Sequence, residues 1–131
     1  MITIVADHDI EGQVALLWSL LVEQGWPDLV PMHKVTFNEI GLAEDSTDRI
    51  VWRYVQTHRM YLITGNRNMR GDDSLEKTLR DENFPASLPV FTIGRVDRIA
   101  EREYRIRCIA RLMEVLLEID NFRGVGRVFI P

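Results

Sequence analysis

Five short apolar runs, residues 2–6, 29–32, 60–64, 90–93 and 127–130, punctuate this chain, and segments of helical periodicity fill most of the intervals. No other feature narrows the fold as much. Runs this short and this apolar suit strands buried on both faces. Strands that alternate with helices build a parallel sheet covered on both sides. The helical spacing of Val14, Leu17 and Leu21 predicts a helix over residues 12–24, ending near Gly25. Asp45-Ser46-Thr47-Asp48 opens a second, with Ile50, Val51, Tyr54 and Val55 as its apolar stripe. A third runs from Ser74 to about Glu82, and one long helix is expected over 97–120. Asp45 and Asp73 are the expected caps. Residues 37–44 read as a loop. The order predicts an α/β fold, a three-layer α/β/α sandwich with a mainly parallel central sheet and right-handed crossovers.

A chain of 131 residues holds one domain with a proper core, here residues 1–131 throughout. No apolar stretch approaches the length that crosses a bilayer, so no membrane partner is expected. Asp7, Asp9 and Glu11 interrupt the amino terminus too early for a signal peptide. Cys108, the single cysteine, excludes an intrachain disulfide and any multi-cysteine metal site. It reads as a buried, inert thiol. A cytoplasmic protein is the expectation. Charge divides unevenly along the chain. Residues 1–48 carry nine acids against Lys34 alone, whereas fourteen arginines lie beyond them. Arginine suits bidentate phosphate contact, so this half is a hint of nucleic acid. Arg95, Arg98, Arg102 and Arg105 are spaced to share one helix face, although Glu101–Arg105 and Glu103–Arg107 are equally spaced to pair along a solvated one. The second reading is preferred. Trp18, Trp26 and Trp52 read as core or core-edge residues. Neither a phosphate-binding glycine loop nor a serine-hydrolase elbow is present.

Two of the apolar runs break abruptly into oxygen-bearing side chains. Val5-Ala6 leads into Asp7-His8-Asp9, and Leu62-Ile63-Thr64-Gly65 leads into Asn66-Arg67-Asn68. Ligands of open α/β sheets sit just beyond the carboxyl ends of strands. If the two strands are neighbours, Asp7, Asp9, Asn66 and Asn68 converge on one polar patch. Carboxylate and amide oxygens gathered in this way suit Mg²⁺ or Mn²⁺. His8 reads as a loop residue facing solvent. Asp48 lies one turn inside its helix and is a candidate ligand, ahead of Glu39 and Glu44. Asp72 and Asp73 could restore the negative charge that the two asparagines lack.

In these three places the chain resembles the small prokaryotic PIN-like domains, compact α/β nucleases. Val5-Ala6-Asp7-His8-Asp9, Asp45-Ser46-Thr47-Asp48-Arg49-Ile50 and Leu62-Ile63-Thr64-Gly65-Asn66-Arg67-Asn68-Met69 stand where that family keeps its acidic motifs. The resemblance covers residues 1–70. It implies phosphodiester hydrolysis, usually of RNA, with Mg or Mn as cofactor. Asp7 would be the main ligand and Asp48 a second. Asn66 and Asn68 stand where the family usually has aspartates, with Asp72 or Asp73 as substitutes. The catalytic set implied is Asp7, Asp48 and Asn66. A toxin-like role would add an antitoxin-like protein partner, and a homodimer is compatible with it. The two asparagines also fit a non-catalytic relative that binds RNA or protein.

Asp7-His8-Asp9 is similar as well to the motif of haloacid-dehalogenase-type phosphatases. There Asp7 would be the nucleophile, Asp9 the general acid, Thr64 the phosphate binder, and Asp72 and Asp73 the metal acids. The spacing argues against it, because Asp72 and Asp73 trail Thr64 too closely and no lysine lies between Thr64 and Asp72.

Overall fold

Ile2–Ala6 forms strand β1, whose last three residues are inaccessible to solvent. The computed structural model describes residues 1–65 and 70–131. A 3₁₀ turn over His8–Ile10 leads into helix α1, Glu11–Glu23. Gly25, at φ 82°, takes the left-handed conformation that stops it. The chain does not pass from there into a strand at 29–32. Pro27 sits in the first turn of a short helix α2, Trp26–Leu29, where its missing N–H costs nothing. Strand β2 is Met32–Val35, starting after Pro31, whose carbonyl accepts from Ile2 N at 3.0 Å. The expected loop over 37–44 contains a helical turn, α3, Phe37–Ile40. A reciprocal cap holds it: Thr36 Oγ1 accepts from Glu39 N, and Glu39 Oε1 accepts from Thr36 N.

Helix α4, Asp48–Thr57, is capped by Thr47, whose hydroxyl accepts from Ile50 N, and not by Asp45. After β3, Tyr61–Thr64, helix α5 spans Leu75–Glu82. Its cap is Ser74, whose hydroxyl accepts from Lys77 N, so Asp73 is left outside. Strand β4 is Val90–Ile93, helix α6 is Arg102–Leu117 and strand β5 is Arg127–Ile130. The long helix expected over 97–120 is therefore α6 flanked by two 3₁₀ turns, Val96–Arg98 and Ile119–Asn121. This break dissolves the arginine stripe. Arg95 pairs with Asp97, Arg98 with Glu101 and Arg102 with Glu23. Arg105 donates to the carbonyls of Ile99 and Ala100 rather than pairing with Glu101.

The five strands form one parallel sheet in the order β2-β1-β3-β4-β5. One face carries Ile4, Ala6, Ile63, Phe91, Ile93, Val128 and Ile130 beneath α1 and α6. The other carries Val5, Leu62 and Val90 beneath α4 and α5, with Trp52 in that layer. Trp18 and Trp26 pack at the edge of the first layer. The result is the three-layer sandwich.

The crossovers do not all share one hand. From β1 to β2 the chain steps one way with α1 on the first face. From β4 to β5 it steps the opposite way with α6 on that same face. With the usual right hand at the first three connections, β4-α6-β5 is the exception to the rule. Coverage explains it. α1 cannot screen Phe91, Ile93, Val128 and Ile130, and α6 buries them with Tyr104, Cys108, Leu112 and Met113. Gly65 lets the chain past. A Cβ there would come within 2.5 Å of Val96 Cγ2 and 3.6 Å of Ile10 Cγ2, so the segment leaving β4 packs directly on the glycine. Among the described residues no helix is long and apolar enough to cross a membrane.

Candidate functional site

The strand order reverses direction between β1 and β3. In doubly wound sheets a crevice opens at such a point, outside the carboxyl ends of the strands. Asp7 follows β1 directly, and its N–H extends the ladder by donating to Ile63 O at 3.0 Å. Thr64, 1% exposed, closes β3 beside it. Its hydroxyl donates to Asp7 Oδ2 at 2.5 Å. The sequence therefore puts a carboxylate and a hydroxyl at the switch point and locks them together.

A pocket of about 70 Å³ lies over this pair. Asp7, Asp9, Glu44, Ser46, Asp48 and Thr64 supply its polar wall. Phe37, Val51, Leu62 and Leu75 supply the apolar one. The space suits an ion with a few waters and excludes a nucleobase. Among the described residues lining it there is no basic side chain. Burial pushes the Asp7 carboxyl above its ordinary range, against the Thr64 hydrogen bond, and the negative charges of Asp9 and Asp48 push it further. Asp7 is the strained charge of the site.

Asp48 enters the pocket from the first turn of α4, one residue beyond the Thr47 cap. Its Oδ2 accepts from Leu75 N at 3.0 Å, which fixes the carboxylate to the first residue of α5. His8 is half-buried beside the pocket, with Nδ1 3.4 Å from Glu11 Oε1 and Nε2 3.5 Å from Glu44 Oε2. It ties the loop carrying Glu44 to the start of α1. That tie departs from the reading of His8 as a residue simply facing solvent.

The structure thus brings together Asp7, Asp9 and Asp48. Glu44 and Ser46 join them, the former of little weight in the sequence and the latter unweighed. Glu39 is used in the α3 cap. Asp72 and Asp73 do not line the pocket. Asp73 accepts from Arg49 Nε at 3.0 Å, and the Asp72 carbonyl accepts from the same guanidinium. Asp73 shares an adjoining groove with Ser46, Asp48 and Arg70, so it lies next to the pocket and not within it. Asn66 and Asn68 lie outside the described residues. The role of Thr64 as hydrogen-bond partner of Asp7 had one signal, its place at the end of an apolar run.

Arg49 organises the wall behind Asp48. Its side chain, 14% exposed, also meets Asp81 and Glu82, while Arg53 takes Glu82 as well. The Arg53 and Arg49 guanidiniums hold the Glu82 carboxyl below its ordinary range. Lys77 and then Arg49 do the same to Asp81. These pairs join α4 to α5 and direct the Arg49 guanidinium to Asp73, Asp81 and Glu82.

Among the described residues no group of three or more His, Cys, Asp or Glu side chains is arranged to hold a metal ion. Asp7 and Asp48 share a pocket without converging into a closed cage. Mg²⁺ typically takes one or two carboxylates and fills its remaining positions with water and substrate phosphate, so this donor set fits it. Comparison of the chain with protein families, with curated proteins and with solved structures finds no match in any of the three.

Proposed function

We propose that this protein is a metal-dependent ribonuclease of the PIN-like type. One observation carries the reading: Asp7, a partly buried carboxylate at the switch point of the sheet, faces Asp9, Glu44 and Asp48 in a small pocket whose described lining residues include no basic side chain. Concentrated negative charge of this kind attracts a hard divalent cation. Asp7 and Asp48 would hold Mg²⁺ or Mn²⁺, and Asn66 is a further donor on the strength of the sequence resemblance alone. A bound divalent ion supplies acidity to a coordinated water and counter-charge to a phosphate. The chain's own contribution is placement. Thr64 fixes one Asp7 oxygen, Leu75 N–H fixes one Asp48 oxygen, and the apolar wall keeps bulk water from their rear. The pocket is too small for a base, so RNA would lie across its mouth and present a phosphate.

The phosphatase reading has less support. It needs Asp72 or Asp73 in the pocket, and Asp73 is paired with Arg49 instead. A non-catalytic RNA-binding relative is favoured by one specific observation, the lack of a three-carboxylate cage among the described residues. Cleavage of a mixed-sequence single-stranded RNA with Mn²⁺ or with EDTA, for the wild type and Asp7→Ala, separates the two. The nuclease cuts with Mn²⁺, stops in EDTA and is inactive as Asp7→Ala. Metal-independent cutting, or full activity in Asp7→Ala, refutes the proposal. RNA binding without cutting at high enzyme concentration assigns the non-catalytic role.

A further inference from the structure

A second cavity, of about 500 Å³, opens at the other end of the sheet, where β3, β4 and β5 begin. Gln56, Arg59, Tyr61, Phe84, Leu88 and Arg123 line it. Its walls are held by hydrogen bonds within the fold. Gln56 Nε2 donates to Leu88 O at 2.8 Å, and Leu88 N donates to Gln56 Oε1 at 2.9 Å. Phe84 N donates to Ser87 Oγ at 3.0 Å, and Gly124 N donates to Ser87 O at 2.9 Å. The cavity is therefore preformed, and its size is that of a small-molecule site.

Its chemistry is specific. Arg59 sits just past the end of α4 at φ 55°, the one non-glycine residue at positive φ among those described. Helices usually place glycine or asparagine there, because a side chain strains the left-handed backbone. Arginine occupies this place all the same, and its guanidinium has no ion pair or hydrogen bond among the described residues. Strained backbone of this kind is characteristic of functional positions. Arg123 brings a second guanidinium, whose ion pair among the described residues is with the exposed Asp120 and whose Nη1 reaches the Ala86 carbonyl at 3.5 Å. Exposed pairs of this type yield readily to a competing anion. Phe84 leaves 48% of its surface open although it lines the cavity, which provides an aromatic face. The Tyr61 hydroxyl makes no hydrogen bond among the described residues. Two forked cations, an open aromatic ring and an unused hydroxyl in one cavity match a planar ring that carries a phosphate.

We infer that this cavity binds a phosphate-bearing ligand of mononucleotide size, with Arg59 and Arg123 on the phosphate and Phe84 against the ring. The site is separate from the Asp7 pocket and independent of its chemistry.

The test is calorimetric titration of the full chain with AMP, adenosine and inorganic phosphate. AMP binds saturably, and adenosine and phosphate each bind more weakly. Arg59→Gly removes the cation and relieves the backbone strain together. It weakens AMP about tenfold or more while the melting temperature holds or rises, so lost binding cannot be lost folding. Phe84→Ala weakens AMP and adenosine alike, and Asp7→Ala leaves AMP binding unchanged. Absence of saturable AMP binding at millimolar concentration overturns the inference. Undiminished binding in Arg59→Gly, or binding lost in Asp7→Ala, does so too.

Discussion

Replacing Thr64 by valine removes one hydroxyl from the site and leaves its shape intact. In the native protein that hydroxyl donates to Asp7 Oδ2 from a fully buried position. A hydrogen bond to an ionised group contributes about 1.5–3 kcal/mol and a neutral one about 1 kcal/mol. The Asp7 carboxylate opens onto a pocket, so the lower part of the first range applies, about 1.5–2 kcal/mol at pH 7. For a chain of this size that is a fall of about 6 °C in melting temperature. The sign of the pH dependence follows from Asp7, whose carboxyl burial raises above its unfolded value of 3.8. A raised acid favours the folded state in its protonated form. That contribution is whole below the unfolded value and is lost as pH rises through the folded one. Protonated Asp7 keeps only the neutral bond, so the cost of Thr64→Val shrinks to about 1 kcal/mol in acid. Urea melts at neutral and acid pH, for the two single variants and for Thr64→Val with Asp7→Asn, measure the pairwise term as a double-mutant cycle. Equal cost at both pH values, or no coupling to Asp7→Asn at neutral pH, would refute the electrostatic account of the site.

Four further outcomes follow from the same geometry. Asp7→Asn raises stability at pH 7, because it removes a charge whose burial opposes folding, and it abolishes the loss of stability that Asp7 contributes as pH rises from 3.8 through its raised value, so the net acid limb becomes steeper; chemical denaturation across pH reads both. Gly65→Ala costs about 1–3 kcal/mol by driving a methyl into Val96, and Val96→Ala in the same chain recovers much of it; a melt that ignores the alanine contradicts the packing. Arg49→Ala frees Asp73, Asp81 and Glu82 and speeds hydrogen exchange at the Leu75 amide; the stability it removes is present above the ordinary carboxylate range and is lost as pH falls through the lowered values of Asp81 and Glu82. Cys108 is fully buried and burial pushes its thiol up to about 12, so thiol reagents at pH 8 label it only on unfolding; labelling at the rate of a free thiol contradicts its placement.

The strands were legible because burial on both faces demands uninterrupted apolar residues. β1, β4 and β5 fall where the runs at 2–6, 90–93 and 127–130 place them, and β3 starts one residue late. β2 starts later than the apolar run at 29–32 because Pro27 favours a helical start that takes in Leu29, and Pro31 withholds an N–H. α3 was present in the sequence as Thr36 with Glu39 three residues on, a reciprocal cap that was overlooked because the turn it closes is so short. The caps Thr47 and Ser74 prevailed over Asp45 and Asp73 for a reason outside local preference, since Asp73 is drawn to Arg49, 24 residues away. The hand of β4-α6-β5 had no local signal. It depends on which face of the sheet is short of cover, a quantity defined only once the other helices are in place.

The charge asymmetry of the chain acquires its meaning from the same pairing. The acid-rich first third supplies Asp7, Asp9, Glu44 and Asp48 to one pocket, and the remainder of the chain is rich in arginine. Among the described residues lining the pocket none is basic, and Arg49, next to Asp48 in the chain, is held by acids of the later part, Asp73, Asp81 and Glu82. Burial raises the Asp7 carboxyl, the Thr64 hydrogen bond opposes that rise, and the charges of Asp9 and Asp48 add to it. Arg49 therefore acts outside the pocket. It stabilises the packing of α4 on α5, and its own charge is directed to Asp73, Asp81 and Glu82 and not to the pocket. Its replacement by a neutral residue should loosen that packing and leave the acids of the pocket in place. Reduced stability together with retained Mn²⁺ affinity in Arg49→Met is the result this division of roles requires, and affinity lost in proportion to stability would show that the two are one.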